Sequence, residues 1–175
     1  MSELQSALDV LSAEDLDGLL APQFLDRTTM LVRARNTIDA ELARTARRAE
    51  LAQAPEHDGL KSMASWLRGH LRLPPAAANQ IVRNGRALEQ LPAVAAACAD
   101  GRVTAEQVSV IAPVTRPDNV VAAAEQGVDL AEVDATLAAI AATRPHADLA
   151  QVVHHYLERL DPDGSEILLN EPLLA

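Results

Sequence analysis

Apolar residues recur along most of this chain at intervals of three and four, and almost nowhere in alternation, so the pattern predicts helices. Between Pro22 and about Ala52 there is no further proline and no glycine, while Phe24, Leu31, Ala34, Ile38, Leu42, Ala46 and Ala49 trace one stripe. That predicts the longest helix, over about 22–52, with the stripe packed against the rest of the domain. Thr28, Arg35 and Thr45 interrupt the best heptad register, which argues against a self-sufficient coiled coil. Ahead of it, residues 3–20 predict one or two short helices, the second capped by Ser12 with Glu14 and Asp15 in its first turn.

A second pattern occupies about 62–90. Ser62 has the chemistry of an N-cap, and Met63, Trp66, Leu67, His70 and Leu71 follow at helical spacing. Trp66 falls on the inner face of that helix, so its replacement by Ala is expected to cost about 3–5 kcal/mol. Pro74 and Pro75 end the helix, and Pro75 suits the first turn of the next. In this second helix Ala77, Ala78, Ile81, Val82, Gly85 and Leu88 share one side, whereas Asn79, Arg83 and Arg86 cluster on the other with Gln80 at the edge. Helix, short turn, helix is the outline of a helix-turn-helix.

Pro55–Gly59 reads as the loop leading into this hairpin, and a short helix is expected between Pro92 and about Asp100. After a turn at Gly101, Thr104 with Glu106 and Gln107 behind it caps a helix to about Ala112, which Pro113 and Pro117 stop. Val120–Gln126, Leu130–Thr143 and Ala147–Leu160 predict three more helices, and only Glu166–Leu169 suggests a strand. The fold class is all-α: a single multi-helix domain over 1–160 and a C-terminal tail over 161–175.

Composition sharpens the picture at three points. The three aromatic residues (Phe24, Trp66, Tyr156) leave the core to Ala, Leu, Val and Ile. The lone Cys98, in an Ala-rich run, reads as buried and inert. There is neither a signal peptide nor an apolar run long enough to span a membrane, which points to a cytoplasmic protein without a membrane partner. Charge is uneven: residues 61–88 hold five cations and no carboxylate, while 89–175 hold four cations against fourteen acids, in a chain of net charge -10. Such a chain repels phosphate overall, so nucleic acid can be met only at a confined patch.

That patch supplies the candidate site: Arg68, Arg72, Asn79, Gln80, Arg83 and Arg86. Asn and Gln can pair with adenine and Arg with guanine, so the side chains suit double-stranded DNA met through 61–88. A different reading keeps the hairpin for internal packing and gives the acidic surface or the tail to a protein partner or a second copy. Exposure of Arg83 and Asn79 beside Arg68 or Arg72 separates the two from a pairing with carboxylates of 89–175. A metal-dependent enzyme ranks last. His146, His154 and His155 have no metal-binding spacing, and the Asp161, Asp163 and Ser165 run has Pro172 where a calcium loop needs a bidentate Glu. With no nucleophile elbow, phosphate loop or strand pair for an HNH site, neither catalytic residues nor a cofactor is expected.

Several motifs come in a familiar order: the Gly59, Ser62, Trp66 and Leu67 spacing; Arg83 and Arg86–Ala87–Leu88; Leu91–Pro92; Gly101–Arg102–Val103–Thr104; and Leu160–Asp161–Pro162–Asp163–Gly164. In these the chain resembles the 13E12 repeat family, also called domain of unknown function 222, found mostly in actinobacteria and commonly ahead of an HNH endonuclease module. It departs at Pro74, where the family usually has a small capping residue. The resemblance implies a DNA-associated, non-catalytic module, with 161–175 the start of a longer region whose nuclease part is absent here.

Overall fold

Prolines and short polar caps set most of the boundaries in the computed structural model, which describes residues 3–160. The helices are α1 (Glu3–Ala13), α2 (Ala21–Leu51), α3 (Ala54–His57), α4 (Met63–Leu71), α5 (Pro75–Gln90), α6 (Pro92–Ala99), α7 (Ala105–Ile111), α8 (Pro117–Glu125), α9 (Leu130–Thr143) and α10 (His146–Leu160), with a 3-10 turn at Ala112–Thr115. Pro55, Pro75, Pro92 and Pro117 stand in first turns, where a missing N–H costs nothing. Ser62 accepts the N–H of Ser65, and Thr104 and Gln107 close a reciprocal capping box. No strand occurs among the described residues, and the architecture is all-α.

Two compact units divide the described residues, one as far as Val32 and the other from Arg33 onward. In the second, α5 packs against α4, α6, α7 and the 3-10 turn, while α6 packs on α9 and α7 on α10. The main core gathers Leu91, Val94, Val103, Val108, Ile111, Leu137, Leu149 and Val153, the small-to-medium aliphatics expected of a chain poor in aromatics. A smaller cluster forms where Met63 and Leu67 of α4 meet Ala78 and Val82 of α5 and Ala46 of α2. Cys98 lies in the main core, and burial pushes its thiol pKa up to about 12.

The buried polar side chains join separate elements. Asn36 donates to the Gly101 carbonyl at 3.0 Å, Asn84 to the Ala105 carbonyl at 2.8 Å, and Gln107 to the Ala141 carbonyl at 2.8 Å. Each ties two elements together through a backbone carbonyl and so fixes the register between them.

The structure corrects three readings of the chain. The expected stripe of α2 packs only at its C-terminal end, where Ala46 is buried and Ala49 half-buried; Phe24, Leu31, Ile38 and Leu42 are 37–44% exposed, and the other buried residues of the helix, Asn36 and Ala43, lie off the stripe. The physical reason is closeness of approach. Gly85 of α5 lies against the Ala43 carbonyl, and a Cβ there would collide with that backbone oxygen, so only the small-residue side of α2 fits. Ser12 starts no helix; it lies inside α1 and donates to the Asp9 carbonyl, while Asp15 accepts the Asp17 N–H in a turn. The expected loop at 55–59 contains the single turn α3. The possible strand at Glu166–Leu169 lies outside the described residues.

Candidate nucleic-acid interface

The α4–α5 hairpin owes its shape to three residues. Arg72 takes a left-handed conformation at φ 57° to close α4, Leu73 donates its N–H back to the Leu67 carbonyl, and Pro74 stands extended at the start of α5. The chain therefore reverses direction at Arg72, two residues ahead of Pro74.

With its other sides packed, α5 is open to solvent along one side only, at Pro75, Ala76, Asn79, Arg83, Arg86, Glu89 and Gln90. Asn79 and Arg83 are exposed, and their side chains have no hydrogen-bond or ion-pair partner among the described residues. Gln80 turns inward; its amide donates to Ser109 Oγ at 3.0 Å, and that hydroxyl in turn donates to Asn84. Arg68 and Arg72 are exposed on or just after α4, also without a partner. Arg68 borders a shallow depression with Ser65, Gly69, Leu73 and Pro75, none of which lines the groove beside Arg83.

Arg86 is engaged. Its Nε donates to Glu50 Oε2 at 2.9 Å, and its Nη2 also meets that carboxylate. Glu50 accepts Arg47 Nη1 at 2.8 Å as well, and Arg47 Nε reaches Glu89 at 2.7 Å. Charges therefore alternate along Arg86, Glu50, Arg47 and Glu89. The hydrogen bond from Arg86, ahead of that from Arg47, holds the Glu50 carboxyl below its ordinary value despite partial burial. The carboxylate that engages Arg86 comes from α2, and not from the acidic stretch 89–175.

Two functional candidates become visible only in three dimensions. Arg47, Arg83, Arg86 and Arg116 all line one groove of about 690 Å³, with Glu89 its one carboxylate. Arg116 has no ion-pair partner among the described residues and precedes Pro117 at the start of α8. In the sequence its only signal is a position before a helix-stopping proline, 33 residues beyond Arg83. Pro113, Pro117, Val120 and Val121 supply its apolar lining. Arg47 and Arg86 are already engaged by Glu50 and Glu89, so Arg83 and Arg116 supply the unpaired positive charge of this groove.

The histidines do not converge. His154 and His155 are exposed and both face Glu158, at 3.2 and 3.8 Å, and among the described residues no group of three or more His, Cys, Asp or Glu side chains is placed to hold a metal. Asp161, Asp163 and Ser165 lie outside the described residues. No described helix is long and apolar enough to cross a membrane.

Against known proteins, the family described as Domain of unknown function (DUF222) matches residues 26–170. No curated protein matches, and no solved structure does.

Proposed function

This chain belongs to the DUF222 family, and from that premise we propose that it is a non-catalytic, DNA-associated helical module of the cytoplasm, one that works beside an HNH endonuclease and holds duplex DNA by its phosphates. The observation that carries the reading is Arg83: exposed, without a partner, on a stripe with Asn79, and at the edge of an arginine-lined groove. Lys61, Arg68, Arg72 and Arg116 supply further cations around a segment that has no carboxylate from 61 to 88.

Phosphate contact fits this surface better than base reading. A recognition helix must offer a broad free face to the major groove, and α5 offers one edge, with Gln80 bonded inward and Arg86 held by Glu50. Guanidinium groups spaced along a convex edge suit phosphate oxygens, which carry no base identity.

The test is fluorescence anisotropy with a labelled duplex of about two helical turns, titrated from about 50 to about 200 mM salt. The expected plot of log K against log[salt] has a slope near -3, for about three phosphates released, and is the same for unrelated sequences. Arg83→Ala and Arg116→Ala should each flatten the slope by about one unit while leaving the fold intact. Absence of binding at the lowest salt, or an unchanged slope in the double variant, sinks the reading.

A further inference from the structure

The arginine-lined groove holds more than charge. Beside Arg83 and Arg116, which are exposed and without an ion-pair partner among the described residues, its lining includes Pro113, Pro117, Val120 and Val121. Val121 is 57% exposed and Pro117 is exposed as well, while Pro113 and Val120 are half-buried. Pro117, Val120 and Val121 come together because they stand at i, i+3 and i+4 on the first turn of α8, directly behind Arg116.

Contact with a duplex leaves this apolar lining unexplained. Paired DNA covers its base faces by stacking, so what meets Arg83 and Arg116 is sugar and phosphate, and the valines and prolines stay in water. The groove is about 690 Å³, inside the range of about 300–1,000 Å³ of pockets that enclose small ligands. A nucleotide freed from its pairing partner offers what the duplex withholds: a flat apolar base face joined to a phosphate.

Building on the duplex-binding reading above, we infer that the groove takes a short unpaired stretch of DNA strand running off the duplex, with phosphates on Arg83 and Arg116 and bases against Pro117, Val120 and Val121. The remaining charges of the groove permit it. Glu89 is its one carboxylate, and Arg47 neutralises it at 2.7 Å, which removes the repulsion a bare carboxylate would present to a strand. Among the described residues that line the groove none is aromatic, so the bases are held by apolar packing and not by ring stacking, without regard to base identity.

Fluorescence anisotropy of the full chain at about 100 mM salt compares a blunt duplex of about two helical turns with the same duplex carrying about six unpaired nucleotides on its 3′ or its 5′ end. The control is an overhang of the same length made of abasic nucleotides, which keeps the phosphates and lacks the bases. Taking on the order of 60 Å² of apolar surface out of water should make one of the overhangs bind about tenfold tighter than its abasic counterpart. Val121→Asn should bring that ratio to about two or below, and Val121→Trp should raise it, because a ring there can stack on a base. Val121 is exposed, so neither change touches the core, and an unaltered circular dichroism spectrum checks this. A ratio near one for both polarities, or a ratio indifferent to both variants, overturns the inference while binding of the blunt duplex keeps the duplex reading. No binding of any probe at about 50 mM salt overturns both. Displacement of the overhang by a deoxynucleoside monophosphate at about 10 µM assigns the groove to a free nucleotide and overturns the inference as well.

Discussion

The buried carboxylate of Asp134, on α9, accepts the backbone N–H of Val94 at 3.0 Å, in the first turn of α6. Its second oxygen takes the Ala93 N–H at 2.7 Å. α6 begins at Pro92 behind Leu91, which has no capping side chain, so its free N–H groups are satisfied from a helix some forty residues away.

Asp134→Ala is therefore expected to destabilise the second unit by about 3 kcal/mol, because a buried and a part-buried donor lose a charged acceptor and the positive end of α6 loses its counter-charge. Asp134→Asn keeps one acceptor oxygen and should lose about half as much. Urea unfolding followed by circular dichroism measures both, and equal stability of the Ala variant would show that water replaces the carboxylate.

Glu50→Gln should act on binding and on pH dependence together. The folded carboxyl sits below its ordinary value of 4.5, chiefly through Arg86 and then Arg47. A carboxyl lowered in the folded state contributes stability that is complete above its unfolded value and is lost as pH falls through the folded one. The variant's unfolding midpoint should accordingly change less than wild type's between about pH 5 and about pH 3. Releasing Arg86 and Arg47 toward the groove should also steepen the salt slope of DNA binding by about one unit.

Trp66 tests the orientation of α4. The ring is half-buried at the rim of the smaller cluster, stacked on His70 at 4.9 Å, with Nε1 donating to Asp58 at 2.7 Å. Its replacement by Ala should cost about 1–2 kcal/mol, less than the 3–5 expected of a fully buried ring. Leu67→Ala, at a side chain 1% exposed, should cost more, about 2–5 kcal/mol. Chemical denaturation of the two variants gives the order, and the reverse order would place Trp66 in the core.

Cys98 is 2% exposed, with its thiol pKa pushed up to about 12 by burial, so almost no thiolate exists near neutrality. Iodoacetamide at about pH 8 should leave the native chain unmodified and alkylate it fully in denaturant, as read by intact mass. Rapid native labelling would mean that the α6 end of the core opens.

Helix positions are largely legible in the residues, because proline and capping side chains act locally: Pro75, Pro92, Ser62 and Thr104 mark their own boundaries, whereas Pro117, expected only to stop a helix, begins α8 ahead of the expected Val120. The inner side of α5 is legible for a similar reason, since Ala78, Val82 and Gly85 fall together and are buried together. Which face of α2 packs is not. Periodicity favours one stripe from Phe24 to Ala49, whereas of that stripe the fold buries Ala46 and turns to Asn36 and Ala43 beside it, Ala43 because its small size lets the backbone approach Gly85. Pattern reports hydrophobicity; it does not report the distance between axes. The candidate site divides the same way. Asn79 and Arg83 can be read from one helix, but the pairing of Arg86 with Glu50, and Arg116 across the groove, depend on elements remote in the chain.

Two glycine turns of the second unit differ in a way that matters to anyone modifying this protein. Gly101 has φ +73° and is sealed: a Cβ there would lie 2.6 Å from the Arg33 carbonyl oxygen, and its own carbonyl is taken by Asn36. Gly127, with φ +71°, has nothing within 4 Å of the equivalent position and is exposed between α8 and α9. A side chain or label placed at Gly127 therefore meets no packed atom, whereas an insertion at 100–102 would pry α2 from the core.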